Sequence, residues 1–157
     1  MVPGAAYDAE SWEPQAERIA ANGMSALAVE EASAGTVAEA AEYMKSELGT
    51  QDVAIMGGSV GADAALEAAA DDQELADQLI LISPNSQVSG LGDCPKLFAA
   101  SEEESLADTT RQMAEEAPGH DNELLLLPGD AHAQAIFETE EGDRLEREIL
   151  DRLRERS

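Results

Sequence analysis

Short apolar runs alternate along this chain with stretches in which apolar residues return every three or four positions, and that alternation predicts strands and helices in turn. The chain opens on a Met1-Val2 strand stub and a small-residue loop, Pro3-Gly4-Ala5-Ala6-Tyr7. Ser11 precedes a helix with Trp12, Ala16, Ile19 and Ala20 on one side, ended by Asn22-Gly23. Ser25-Ala26-Leu27-Ala28-Val29 reads as a buried strand, and Thr36 as the cap of a second helix carrying Val37, Ala41, Met44 and Leu48, with Gly49 as its stop. Val53-Ala54-Ile55-Met56 is the next strand. It turns through Gly57-Gly58-Ser59-Val60-Gly61 into a helix whose inner face is Ala62, Ala65, Leu66 and Ala69.

Leu79-Ile80-Leu81-Ile82-Ser83 is apolar almost throughout, as a strand covered on both faces requires. A polar loop over 84–95 leads to the strand Lys96-Leu97-Phe98-Ala99-Ala100. Leu106, Thr110, Met113 and Ala117 mark a helix, Glu123-Leu124-Leu125-Leu126-Leu127 the last strand, and Leu145, Ile149 and Leu153 the inner face of a final helix over 143–154. Strands that alternate with helices give a mostly parallel sheet between two helical layers, because crossovers are right-handed. The expected fold class is therefore three-layer α/β/α, in one domain over 1–157.

Composition changes the picture in one respect. The 157 residues carry 34 acidic and 9 basic side chains, a formal charge of −25. Only Lys45 and Lys96 are lysines. Disorder is excluded by the periodic apolar segments and by 43% hydrophobic residues. A folded domain with so carboxylated a surface resembles proteins of salt-accumulating halophiles, where concentrated salt screens self-repulsion. The charge argues against nucleic-acid binding and against anionic membrane surfaces. Cys94 is the single cysteine, so no internal disulfide forms. With no signal peptide and no 18-residue apolar run, the expected location is cytoplasmic.

In parallel sheets, chemistry collects beyond the carboxyl ends of the strands. Three such ends carry reactive residues. Ser59 sits at the tip of the Gly-x-Ser-x-Gly corner, with glycines where strand and helix must come close. Ser101-Glu102-Glu103-Glu104-Ser105 follows the Lys96 strand, and Pro128-Gly129-Asp130-Ala131-His132 follows the last one. The order is serine, acid, histidine. Serine needs a base to take its proton during attack, histidine suits that at neutral pH, and a carboxylate behind it fixes the tautomer. His120 lies in a turn before the last strand, at the wrong end of the sheet. No spacing of His, Cys and Asp resembles a metal site, and there is no glycine fingerprint of a nucleotide-binding loop.

These pieces resemble the α/β-hydrolase superfamily, in the small form of lidless serine esterases and dienelactone-hydrolase-like proteins. The resemblance spans nearly the whole chain. It is carried by Pro3-Gly4-Ala5 with Trp12 downstream, by Gly57-Gly58-Ser59-Val60-Gly61, by Pro95-Lys96-Leu97-Phe98-Ala99-Ala100-Ser101-Glu102-Glu103-Glu104 and by Gly129-Asp130-Ala131-His132. It implies a reduced hydrolase fold that lacks the early strands: either the sheet starts here, or the natural start lies upstream. An open sheet edge would then be available to a second copy, as in a homodimer. The resemblance further implies Ser59 as nucleophile and His132 as base. Matching Ser101 to the family's glycine puts Glu104 at the acid position, where the family has aspartate, with Glu103 as second choice. The oxyanion donors implied are the N–H of Val60 and one from the Gly4-Ala5 loop. The expected activity is cleavage of a small ester or thioester without a cofactor. The alternative is a degenerate or truncated hydrolase-like domain that binds or oligomerises without catalysis.

Overall fold

A computed structural model describes residues 1–156. Helices α1 (Glu13–Ala21) and α2 (Ala34–Ser46) precede strand β1 (Ala54–Gly58), which feeds α3 (Val60–Asp71). Strands β2 (Gln78–Ile82) and β3 (Lys96–Ser101), helix α4 (Ala107–Glu116), strand β4 (Asn122–Leu127) and helix α5 (Gly142–Glu155) follow. Short 3-10 turns at Glu10–Trp12 and Ala133–Glu138 complete the path.

All four strands are parallel and lie in sequence order, β1-β2-β3-β4. The period of two divides β2 between the layers. Leu79 and Leu81 point into one apolar cluster, with Val37, Ala41, Ala65, Leu66 and Met113 from α2, α3 and α4. Ile80 and Ile82 point into the other, with Trp12, Ile19, Leu145, Ile149 and Leu153 from the α1 and α5 side. Both faces are covered, which is why the strand is apolar at every position but its first. The result is the expected three-layer α/β/α architecture with a reduced sheet. None of the described helices is long and apolar enough to cross a membrane.

Two local readings are corrected. Residues 25–29 form no strand. Their backbone reaches only the first residue, through Met1 N to Leu27 O at 2.6 Å and Val29 N to Met1 O at 3.1 Å. A strand needs a ladder, and the segment beside it makes just one bridge to the sheet, Val2 with Gly57. Helix α2 starts three residues earlier than Thr36 suggested. Ser33 is its cap, with the hydroxyl accepting from Thr36 N at 3.2 Å, so Thr36 occupies the first turn.

Lys96, fully buried at the start of β3, is the fold's most unusual core residue. Its ammonium donates to the carbonyls of Gly92 (2.7 Å), Cys94 (2.6 Å) and Pro118 (2.9 Å), which closes the loop before β3 onto the turn before β4. Burial lowers its pKa. Replacing Lys96 with methionine keeps the length and strands three carbonyls. We expect a loss of about 3 kcal/mol, the cost of buried acceptors left unmade, read as a lower denaturation midpoint at unchanged slope.

Candidate active site

The corner between β1 and α3 is dictated by close approach. A Cβ at Gly57 would overlap the carbonyl group of Gly61 and lie 2.6 Å from Ala62 N. A Cβ at Gly61 would overlap the carbonyl oxygen of Val2 and lie 2.6 Å from that of Pro3. Only glycine lets the strand, the helix and the first residues of the chain cross here. Between them Ser59 is forced to φ 53° and ψ −123°. Its N–H is held by Ile82 O at 2.9 Å, and its carbonyl takes the N–H groups of Ala62 and Asp63. The side chain is left pointing out of the turn.

Three sequence-predicted residues meet at this point. His132 Nε2 lies 2.9 Å from Ser59 Oγ, and His132 Nδ1 lies 2.6 Å from Glu104 Oε2. The separations along the chain are 73 and 28 residues, so only the sheet brings them together. The environments are graded. The His132 side chain is 47% exposed and that of Glu104 is 3% exposed. Glu102 and Glu103 are exposed and hold the loop through backbone bonds to Leu127 O and Gly129 O. Glu104 is thus the one member of the acidic run whose carboxylate reaches the histidine among the described residues. Ser101, where the sequence departs from the family's glycine, gives its hydroxyl to Ala131 O at 2.6 Å and ties the acid's loop to the histidine's.

The Gly4-Ala5 loop is placed beside Ser59 by the Val2 bridge, with Val2 N on Met56 O at 2.8 Å and Gly58 N on Val2 O at 3.3 Å. Its two amides are not equivalent. Gly4 N donates to the side chain of Gln134 at 2.7 Å, so Gly4 is not free to serve as an oxyanion donor. The N–H groups of Ala5 and Val60 have no partner among the described residues. His120 is exposed in the turn before β4, away from these groups. Asn85 N donates to Asp63 at 2.7 Å and fastens the 84–95 loop to the first turn of α3. Burial raises the pKa of Asp63, and the Asn85 bond opposes that. No helix lies in the 84–95 segment.

Sequence reasoning missed two residues that complete this arrangement. Gln134 is buried, accepts from Gly4 N and donates to Ser11 Oγ at 2.7 Å, which joins the histidine's loop to the chain's first loop. Nothing local distinguishes it. Ser83 is fully buried, donates to Glu104 Oε1 at 2.6 Å and accepts from Ala133 N at 3.0 Å. Its signal was visible: a hydroxyl closes an otherwise apolar strand at the end where chemistry collects.

No group of three or more His, Cys, Asp or Glu among the described residues could hold a metal ion. An apolar cavity of about 340 Å³ lies against Met1, Met24, Val37, Met44, Val53 and Asp77, and it touches neither Ser59 nor His132. It sits where the strands begin, not where they end.

Neither a protein-family model nor a curated relative matches this sequence. Solved structures do. A monoacylglycerol lipase from Paleococcus ferrophilus superposes with a TM-score of 0.81 at 14% identity, over 99% of this chain and 93% of that one. Dienelactone hydrolase from Anabaena variabilis gives 0.80 at 17% identity, over 96% and 82%. A cold-adapted esterase from an Arctic intertidal metagenomic library gives 0.73 at 17% identity, over 99% and 80%. At such identities the likeness carries the fold and no more.

Proposed function

From the α/β-hydrolase fold that this chain shares with those structures, we propose that the protein is a serine hydrolase acting on small esters or thioesters. The observation that carries the reading is the unbroken contact chain from Ser59 Oγ through His132 to Glu104. In this reading Ser59 Oγ attacks the substrate carbonyl carbon while His132 Nε2 takes its proton. Nδ1–H of His132 stays on Glu104, which fixes the tautomer and balances the imidazolium. The carbonyl oxygen becomes an oxyanion facing the unpartnered N–H groups of Val60 and Ala5. Collapse of the tetrahedral species expels the alkoxide or thiolate, which takes the proton from Nε2. Water, activated by the same nitrogen, then attacks the acyl-enzyme. It releases the acid and returns the proton to Ser59.

A site with no helical lid inserted at 84–95 offers little surface to a long acyl chain, so short, soluble substrates are the reading's natural partners. The −25 charge suggests molar salt as the working medium, where the screening length falls to about 3 Å. One experiment tests both parts: turnover of a p-nitrophenyl ester series from acetate to palmitate in molar KCl, with fluorophosphonate labelling of the same preparation. We expect one adduct per chain, on Ser59, and a rate that falls as the acyl chain lengthens. A folded protein that takes no label favours the non-catalytic alternative, and a preference for palmitate removes the small-substrate reading.

A further inference from the structure

Among the described residues, three that are not glycine hold positive φ: Ser59 (53°), Ser83 (50°) and Ala133 (51°). Such backbone is costly for residues with a Cβ and gathers where function over-determines it. Ser59 is the proposed nucleophile and Ala133 directly follows the proposed base. Ser83 has no part in the mechanism above, yet it contacts both the proposed acid and the residue after the proposed base. Its hydroxyl has one proton to give, and gives it to Glu104 Oε1 at 2.6 Å. It has lone pairs to offer, and Ala133 N uses one at 3.0 Å. The same Glu104 oxygen takes Ser101 N at 3.0 Å, which leaves Oε2 for His132. Ser83 N is in turn pinned to Ala99 O at 2.7 Å, inside the sheet.

We propose that Ser83 is a positioning residue of the hydrolytic site, aligning Glu104 and the His132 loop from a single buried hydroxyl. This rests on the serine-hydrolase reading for its catalytic meaning, although the alignment itself does not. A carboxylate on a flexible glutamate arm has several rotamers. Two donors on Oε1, one from the backbone at the end of β3 and one from the residue that follows β2, leave it one orientation. Ser83 is fully buried and cannot meet substrate, so its loss should act on kcat rather than KM.

The test compares Ser83→Ala with Ser83→Gly. Both remove the hydroxyl, and only glycine also relieves the positive φ. We expect kcat to fall roughly 10- to 100-fold in both, the range for a hydrogen bond to a charged group, with KM within about twofold. In a Glu104→Gln background the Ser83 substitutions should cost clearly less than in wild type, leaving the share that passes through Ala133 N. Unchanged kcat, or losses that multiply in the double variant, overturns the proposal. A crystal structure of Ser83→Ala tests the alignment without turnover. The Glu104 carboxylate should rotate and its contact with His132 Nδ1 open beyond about 3.5 Å; a carboxylate that stays in place overturns the proposal. If Ser59→Ala hydrolyses ester as fast as wild type, the hydrolase reading falls, and the position of the carboxylate still decides whether Ser83 aligns it.

Discussion

Replacing Ser59 with alanine is expected to lower kcat for p-nitrophenyl acetate by on the order of 10³-fold or more, with the fold intact by circular dichroism. The side chain projects from a turn whose backbone bonds, to Ile82, Ala62 and Asp63, do not involve the hydroxyl. Removing Oγ therefore costs the reaction its nucleophile and the structure almost nothing. His132→Ala should bring a loss of the same order, since without Nε2 the hydroxyl has no base, and the double variant should be no worse than either single one. Losses in members of one unit do not multiply. Equal background rates in wild type and both variants would reduce the contact chain to a structural coincidence.

The second large effect is expected at Gly61, a residue that touches no reacting atom. Alanine there would drive its Cβ into the carbonyl of Val2 and within 2.6 Å of that of Pro3. Both obstacles are backbone, so neither can rotate away. One partner must shift, and whichever does, the buried first segment moves relative to the Ser59 corner. We expect a stability loss of about 3 kcal/mol from overpacking. We also expect kcat to fall about 100-fold or more, as when an oxyanion donor is lost, because Ala5 N–H moves with the loop. Stability follows from urea unfolding and kcat from the acetate assay. Full activity in Gly61→Ala would mean that the loop makes no contribution to the transition state.

These glycines explain why the centre of the molecule was readable in advance. Gly57, Ser59 and Gly61 obey a local steric demand, and local demands leave local patterns. The apolar runs of β2 and β3 were readable for a similar reason, since burial on both faces forbids alternation. The failures were non-local. Residues 25–29 have the composition of a strand, but a strand exists through its neighbour, and Met1-Val2 supplies a single bridge. Ser33 and Thr36 both carry a hydroxyl suited to a cap, and the choice between them depends on where the preceding loop arrives. The resemblance ranked Glu104 ahead of Glu103, but the residues alone left the three glutamates open, because burial of one carboxylate beneath His132 is a property of the loop's path. Gln134 was invisible for the same reason: its partners, Gly4 and Ser11, lie more than 120 residues away.

The two proposed oxyanion donors belong to parts of the molecule with different resilience. Val60 is the first residue of a helix packed on the central sheet. Ala5 hangs on a segment held by the Val2 bridge, the Met1 contacts with Leu27 and Val29, and the Gln134 side chain. Ala5 is exposed while Val2, Pro3 and Gly4 before it are buried, so the loop beyond Gly4 can open at a free energy below that of global unfolding with Val2 still in the core. Warming would then empty half of the oxyanion site while the sheet, the helices and the Ser59–His132 contact persist. Inactivation would precede melting, and it would reverse on cooling because no core has to be rebuilt. The protein would carry its own thermal cut-out, set by its first loop and independent of the stability of the remaining chain.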